Sequence, residues 1–265
     1  MTHQCLIASY PRDYAFLIHC LASLKKFSKG FLHPVVVVHY DDWKSARAIA
    51  DQSYPEAEVK VYDGVVGQGF LRAQICMMSG DIFCPEADFT WLLGSDCFCT
   101  REFTPEPFFK GGKPVMLYTD YRDLAAIPGA LQWRGGVESA LGLRPQYEFM
   151  RRLPLIYPRE LFAPMRQHIA ARHNVTFLKY VEWCGSRKPF DTSESNWLGA
   201  FAHRYMPDLY EWVDTAKGEH WDNPCIQFWS HGSLDGKCDH DAVLPDGSRT
   251  AGRTPRDVID SVLRG

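Results

Sequence analysis

Residues 34–42 read P-V-V-V-V-H-Y-D-D, a run of four valines that ends in polar and acidic residues. A strand with β-branched side chains on both faces is typical of the middle of a parallel sheet, because helices cover both faces of such a sheet. The stretch therefore predicts a buried central strand over 34–40, from which the chain leaves the sheet at Asp41 and Asp42.

The segments around this strand alternate between strand-like and helix-like patterns through the first half of the chain. Strands are expected at 5–10, 34–40, 59–62, 90–94 and 114–118, and helices at 16–27, up to residue 50, and at 67–79. This alternation predicts an α/β fold with a doubly wound, mostly parallel sheet flanked by helices. Ligands bind beyond the carboxyl ends of the strands in such sheets.

The second half is less regular. Helices are predicted at 158–173, 193–205 and 255–263, a strand at 226–229, and an exposed loop over 233–254, which is rich in Pro, Gly and Asp. Because no linker-like stretch divides the sequence, residues 1–265 are expected to form a single domain.

The composition is that of an ordinary globular protein, with 46% hydrophobic and 23% charged residues. A net charge of −3 gives no general attraction for nucleic acid or anionic membranes. No apolar run is long enough to predict a membrane span. The nine cysteines are an odd number and no secretory signal is visible, so reduced thiols in a cytoplasmic protein are the simplest expectation.

Four short motifs accompany this pattern of strands and helices. They are Gly69-Phe70-Leu71-Arg72-Ala73-Gln74, Gly94-Ser95-Asp96, Pro154-Leu155-Ile156-Tyr157 and Ser193-Glu194-Ser195. With the L-I-A-S-Y-P first strand, they resemble the G-W-x-x-Q-Q, D-S-D, P-L-x-Y and S-E-Y motifs of nucleotide-sugar glycosyltransferases of the GT-A fold, in a poorly characterised bacterial and viral branch. The resemblance covers residues 4–235. It implies a single Rossmann-like GT-A domain that moves a sugar from a nucleotide sugar, in the first place a UDP-sugar, to a glycan or other hydroxyl acceptor.

The resemblance implies that Asp96 binds a divalent metal ion. In this family the last Asp of the D-x-D strand end binds Mn²⁺ or Mg²⁺, hard ions that accept carboxylate and phosphate oxygens together. Here Gly94 replaces the first Asp, which puts the strength of metal dependence in doubt. His231 stands where the late H-x-G histidine of glycogenin-like relatives supplies a further ligand. The alternatives are an Asp96 that caps the turn and a His231 that packs beside Trp229.

Glu194 is the candidate catalytic base. It falls in the first turn of a predicted helix for which Ser193 or Asp191 is the N-cap. Transfer with inversion of configuration needs one carboxylate to take the proton of the acceptor hydroxyl, and the resemblance implies a base far downstream of the metal-binding Asp. Asp191 is the reserve candidate. The simpler alternative is that Glu194 only complements the helix dipole.

The remaining candidates would bind the donor, and they follow strand ends or lie on the helix over 67–79: Ser9, Tyr10, Arg12, Arg72, Gln74, Ser95 and Asp120. Arg72, near a helix N-terminus, suits a diphosphate. Tyr10 would lie near the uracil-type base, and Asp120 would orient hydroxyls of the donor sugar.

Other functions stay open. The residues Cys225, His231, Cys238 and His240 are of zinc-binding types, but they lack the close cysteine pair typical of structural zinc sites. The change at Gly94 leaves open a protein that binds sugar or nucleotide without catalysis. A nucleic-acid acceptor, as for viral relatives that glycosylate DNA bases, would use the basic residues Arg134, Arg151, Arg152, Arg187 and Lys188; the net charge disfavours it. No Gly-rich loop follows the first strand, which disfavours a dinucleotide oxidoreductase or a sugar nucleotidyltransferase.

Overall fold

The computed structural model describes residues 1–64, 69–126, 131–151, 153–187, 191–217, 223–228, 233–238 and 242–264. Its strands, in chain order, are β1 (His3–Ala8), β2 (Leu32–His39), β3 (Glu58–Tyr62), β4 (Phe89–Gly94), β5 (Cys97–Cys99), β6 (Phe109–Lys110), β7 (Lys113–Asp120), β8 (Tyr147–Glu148), β9 (Leu155–Pro158), β10 (Glu211–Asp214) and β11 (Cys225–Gln227). Its α-helices are α1 (Tyr14–Phe27), α2 (Trp43–Ser53), α3 (Gly69–Met77), α4 (Gly80–Phe83), α5 (Arg134–Leu141), α6 (Arg159–His173), α7 (Phe177–Arg187), α8 (Glu194–Tyr205) and α9 (Pro255–Arg264).

The central sheet has five strands in the order β3-β2-β1-β4-β9. The first four are parallel to one another, and β9 pairs antiparallel with β4. This is an α/β architecture with a mixed, mostly parallel sheet flanked by helices, as the alternation of strand and helix patterns predicts. The order reverses between β1 and β4, so the carboxyl ends of these two strands mark the topological switch point.

The four valines of β2 explain why this strand is central. Val35 and Val37 pack into one hydrophobic cluster together with helices α3 and α5–α8. Val36 and Val38 pack into a second cluster on the opposite face, with α1 and α2. All four side chains are buried, because each face of the strand is covered by helices, as expected for a parallel strand.

The strand predicted at 114–118 is present, but it lies outside the central sheet. It forms part of β7, which pairs in parallel with β10 and antiparallel with β6 and β8. The position beside β4 is taken instead by β9, from the P-L-I-Y motif. Alternation of strand and helix patterns alone does not reveal this, because β9 and β10 are separated in sequence from the strands that they join.

The late strand predicted at 226–229 appears as β11, which pairs antiparallel with β5 directly after the end of β4. The segment predicted as an exposed loop, 233–254, contains no helix or long strand among its described residues, and many of its side chains are exposed. Leu234 and Leu244 are buried, however, and pack with Phe98 and Val258 in a third cluster. In the part of the chain that the structure describes, no helix combines the length and the apolar character needed to cross a membrane.

Candidate functional site

The switch point brings together two of the segments predicted to bind a ligand. In the register of β1 and β4, Ala8 lies opposite Gly94. Ser9 follows Ala8 and is held at the sheet edge by a 3.0 Å hydrogen bond from its backbone N–H to the carbonyl of Val37. The parallel register therefore places Ser9 and the Ser95–Asp96 turn side by side at the same edge.

An open pocket lies beside this edge, between the ends of β1, β2 and β3 and the start of α3. It is a shallow depression open to solvent, and Ser9, Tyr10 and Arg72 are among the residues that line it. Tyr10 packs its ring against Gly69 in the first turn of α3, where an added Cβ would lie 2.9 Å from the ring.

Asp96 is buried in the turn after β4. The amide nitrogen of Gln227, in β11, lies 3.4 Å from each oxygen of the Asp96 carboxylate. A Cβ at Gly94 would collide with Oδ1 of Asp96. The carboxylate thus folds back into the space that any larger residue at position 94 would occupy, which gives a structural reason for glycine at this point.

A second acidic side chain, Asp13, lies next to this turn. Asp13 is buried just before α1, and its Oδ2 accepts a 3.4 Å hydrogen bond from the hydroxyl of Ser95. Neither Asp13 nor Gln227 is among the site residues predicted from the sequence. Asp13 could have been found from its place in the polar segment after the first strand. Gln227 could have been found from its place in the predicted late strand, close to the candidate His231. Two buried carboxylates therefore flank Ser95.

Gln74 and Glu194 are in direct contact. The side-chain oxygen of Gln74, on α3, accepts a 2.8 Å hydrogen bond from the backbone N–H of Glu194. Ser193, one of the two residues considered for this position, is the N-cap of α8, and its hydroxyl accepts a 3.3 Å hydrogen bond from the N–H of Asn196. Glu194 therefore occupies the first turn of α8, with Gln74 bound to its backbone.

Burial raises the pKa of Glu194 above the ordinary glutamate value. Hydrogen bonds from its own backbone, from the Gln74 side chain and from the backbone of Ser195 oppose this rise, because they stabilise the carboxylate. Tyr157 is fully buried nearby, and its pKa is raised well above the usual value, first by burial and then by the charges of Glu194 and Glu148. Raised carboxyl pKa values occur at sites of proton transfer and also at structural positions.

The structure places Asp191 and Asp120 in different surroundings. The backbone carbonyl of Asp191 lies against Gly136 in α5, where a side chain would not fit. Asp120 ends β7 and accepts hydrogen bonds from the backbone and side chain of Arg122 and from Gln146. These bonds hold the pKa of Asp120 well below its usual range. Asp120 is thus already engaged by cationic and amide donors.

The other sequence candidates are spread out or fall in other parts of the chain. Arg12 is exposed beyond β1 and does not line the pocket. His231 and Trp229 lie outside the described residues, as does His240 of the possible zinc set. Over the ranges that the structure describes, no group of three or more His, Cys, Asp or Glu residues is arranged to hold a metal ion.

The basic residues considered for a nucleic-acid groove are partly occupied by other contacts. Arg151 forms an ion pair with the buried Glu148, and the guanidinium of Arg134 lies 5.7 Å from the centre of the Tyr121 ring. Arg152, Lys188 and the side chain of Arg187 lie outside the described residues. Arg134 and Arg151 therefore already contact an aromatic ring and a carboxylate within the protein.

No family model matches this sequence, and a search of curated proteins likewise gives no match. A function is therefore inferred from the resemblance of the motifs and from the arrangement of the residues described above.

Proposed function

We propose that this protein is a glycosyltransferase that moves a sugar from a nucleotide sugar, in the first place a UDP-sugar, to a hydroxyl acceptor with inversion of configuration. The observation that carries the proposal is the register of Ala8 against Gly94. The register puts the turn that carries Asp96 next to Ser9, which lines the pocket together with Tyr10 and Arg72. This is the switch point, where α/β sheets bind ligands.

The pocket would receive the nucleoside part of the donor. Tyr10 offers a ring face, and Ser9 has a buried hydroxyl with no hydrogen-bond partner in the described part of the chain. Arg72 lies in the first turns of α3, where backbone N–H groups and a guanidinium favour an anion. A diphosphate that leaves the pocket toward Arg72 would continue along the sheet edge toward Asp96.

Asp96 would bind Mn²⁺ or Mg²⁺ together with the donor's phosphates. Its carboxylate suits such an ion in ligand type, and its neighbour Gln227 is neutral and carries an amide oxygen of the kind that these ions also accept. One carboxylate is a small protein contribution, so phosphate oxygens and water would complete the coordination. The ion would neutralise charge on the departing nucleoside diphosphate.

Glu194 would act as the base. As the acceptor oxygen bonds to the anomeric carbon, the bond from that carbon to the diphosphate oxygen breaks, and the acceptor proton passes to the Glu194 carboxylate. A pKa raised by burial makes Glu194 a better proton acceptor than an exposed glutamate. Gln74 would fix the position of Glu194 through its backbone.

A nucleotide-sugar binding and turnover experiment tests the proposal. Thermal unfolding is measured with a panel of nucleotide sugars, each with Mn²⁺, Mg²⁺ or EDTA, for the unaltered protein, Asp96→Asn and Glu194→Gln. A ligand at a hundredfold excess over its Kd stabilises the folded state by about 2.7 kcal/mol, which gives a measurable shift in Tm. We expect one nucleotide sugar to raise Tm with metal, Asp96→Asn to lose the metal-dependent part, and Glu194→Gln to bind the donor without turnover.

The outcomes separate the proposal from its main alternative. Binding without turnover of the donor by the unaltered protein, with any acceptor tried, would favour a protein that binds the nucleotide sugar without catalysis. The absence of a Tm shift with every nucleotide sugar would contradict both.

A further inference from the structure

Two cysteines on neighbouring strands lie in close contact at a point that the proposed function does not use. Cys99, in β5, and Cys225, in β11, are opposite each other in the antiparallel pair. Their sulfur atoms are 3.2 Å apart, and both side chains are buried. The structure holds both as free thiols.

The backbone hydrogen bonds on either side of Cys99 and Cys225 show which kind of antiparallel pair the two residues form. The N–H of Thr100 donates to the carbonyl of Pro224 at 2.8 Å, and the N–H of Phe228 donates to the carbonyl of Asp96 at 3.0 Å. Hydrogen-bonded and non-hydrogen-bonded pairs alternate along an antiparallel ladder, so Cys99 and Cys225 form a non-hydrogen-bonded pair. The Cα atoms of such pairs are about 4.5 Å apart, which is within the ~4.4–6.8 Å range that disulfides span.

We propose that Cys99 and Cys225 are a redox-active thiol pair that closes to a disulfide between β5 and β11. The register makes the pair specific: Cys97 points to the same side of β5 as Cys99, but the residue opposite it is Gln227. Cys5 and Cys20 share the same hydrophobic cluster but lie on β1 and α1. The inference is independent of the proposed transferase activity.

The oxidant in the proposed reaction is a small-molecule disulfide such as oxidised glutathione. One protein thiolate attacks the glutathione disulfide, forms a mixed disulfide and releases one glutathione thiolate. The second protein thiolate attacks the protein sulfur of that mixed disulfide and releases the second glutathione. Two protein thiols are thereby oxidised, one disulfide is reduced to two thiols, and the two protons that leave the protein end on glutathione.

Access for the oxidant requires a local opening. Contact with Cys99 and burial raise the pKa of Cys225 well above its usual value, so little thiolate exists while the strands are paired. The β5–β11 ladder has three residue pairs, so its opening breaks few backbone hydrogen bonds. We therefore expect slow oxidation, followed until the number of free thiols is constant.

Thiol counting with peptide mapping tests the inference on the unaltered protein. After incubation with oxidised glutathione, the protein is denatured, its free thiols are alkylated, and it is digested without reductant. We expect the number of free thiols to fall from nine to seven, the nine cysteines less the pair. The single cross-link should join the peptide of Cys99 to that of Cys225, and closure of this long loop should raise Tm by about 5 °C or more.

Three single variants identify the cysteines that form the cross-link. Cys97→Ser should keep the cross-link, whereas Cys99→Ser and Cys225→Ser should each lose it and keep their remaining thiols alkylatable. The inference is overturned if the unaltered protein keeps nine alkylatable thiols, if it ends with glutathione attached and no cross-link, or if a cross-link persists in Cys99→Ser.

Discussion

The side-chain oxygen of Gln74 accepts a hydrogen bond from the backbone N–H of Glu194, 120 positions further along the chain, at a distance of 2.8 Å. The contact joins the middle of α3 to the start of α8. Arg72, two residues before Gln74 on the same helix, lines the pocket at the ends of β1, β2 and β3. Helix α3 therefore connects the candidate donor pocket to the candidate base, so a change at Gln74 should affect Glu194 before it affects the pocket.

Replacement of Gln74 by alanine should have two measurable effects. The N–H of Glu194 would lose its acceptor in a partly buried setting, which should lower the free energy of unfolding by about 1 kcal/mol. The pKa of Glu194 should rise further, because the Gln74 side chain now lowers it. Urea denaturation gives the first quantity, and carbon-detected NMR titration of the Glu194 carboxyl gives the second.

Gln4→Ala is the matched control for this variant. Gln4 is also buried, and its amide donates a 2.8 Å hydrogen bond to the carbonyl of His33, away from α8. Gln4→Ala should reduce the free energy of unfolding to a similar extent as Gln74→Ala and leave the pKa of Glu194 unchanged. An equal pKa in all three proteins would show that Gln74 does not act on Glu194.

The stability of Glu194→Gln relative to the unaltered protein should depend on pH. Below the unfolded-state pKa of about 4.3, the carboxyl is protonated in both states, so its raised folded-state pKa carries no penalty. As the pH rises through the folded-state pKa, the unaltered protein loses stability, while the neutral glutamine does not. Glu194→Gln should therefore gain relative stability from pH 4 upward and then level off, by about 1.4 kcal/mol for each unit of pKa difference.

Urea denaturation of both proteins between about pH 4 and pH 8 measures this dependence, with ~1.4 kcal/mol per pKa unit as the scale. Glu106→Gln is the control of opposite sign. Its carboxyl is exposed, and hydrogen bonds from the Thr104 side chain and its own backbone lower its pKa. A relative stability of Glu194→Gln that falls with rising pH would contradict a raised pKa in the folded protein.

The sequence predicted the local parts of this fold better than their assembly. The valines of β2, the strand that ends at Gly94 and the N-cap at Ser193 all depend on residues close in sequence, and all are confirmed. Membership of the central sheet depends on pairing between distant segments, so the place of β9 beside β4 and the separate sheet around β7 were not predicted.

The candidate site shows the same division. The chemical types of Asp96 and Glu194 and their positions at a strand end and a helix start could be read from the sequence. The neighbours that control them could not, because Gln227 reaches Asp96 from 131 positions away and Gln74 reaches Glu194 from 120 positions away. The collision between a side chain at position 94 and the Asp96 carboxylate depends on a side-chain rotamer, which motif comparison does not contain.

Two adjacent glycines in α5 provide a test of how the segment before Glu194 is held. A Cβ at Gly136 would collide with the backbone carbonyl of Asp191, whereas a Cβ at Gly135 would meet nothing within 4 Å. Gly136→Ala should cost about 1–3 kcal/mol, because backbone must move. Gly135→Ala should gain about 0.5–1 kcal/mol from helix propensity. Urea denaturation measures both, and equal effects would show that Asp191 does not pack on Gly136 in solution.

If the protein is a transferase, the same pair separates positioning from binding. Gly136→Ala should lower kcat and leave the KM for the donor nearly unchanged, because the Asp191–Glu194 segment moves while the pocket at Tyr10 and Arg72 does not. Gly135→Ala should change neither constant. A rise in KM without a fall in kcat would instead place this segment in donor binding.

The last prediction concerns Gly94, because the motif resemblance and the structure predict opposite effects of replacing it on metal-dependent binding. By the motif, Gly94→Asp would restore the first acid of the D-x-D strand end and strengthen metal-dependent binding. In the structure, any Cβ at position 94 meets Oδ1 of Asp96, and an aspartate would add a like charge. Gly94→Ala and Gly94→Asp should therefore both displace the Asp96 carboxylate and weaken the metal-dependent Tm shift as much as Asp96→Asn does.

Because the atom displaced is the end of a side chain, Gly94→Ala should alter the unfolding free energy by less than about 1 kcal/mol. Tighter metal-dependent binding by Gly94→Asp would contradict the position of Asp96 described here and favour the two-acid site of the family.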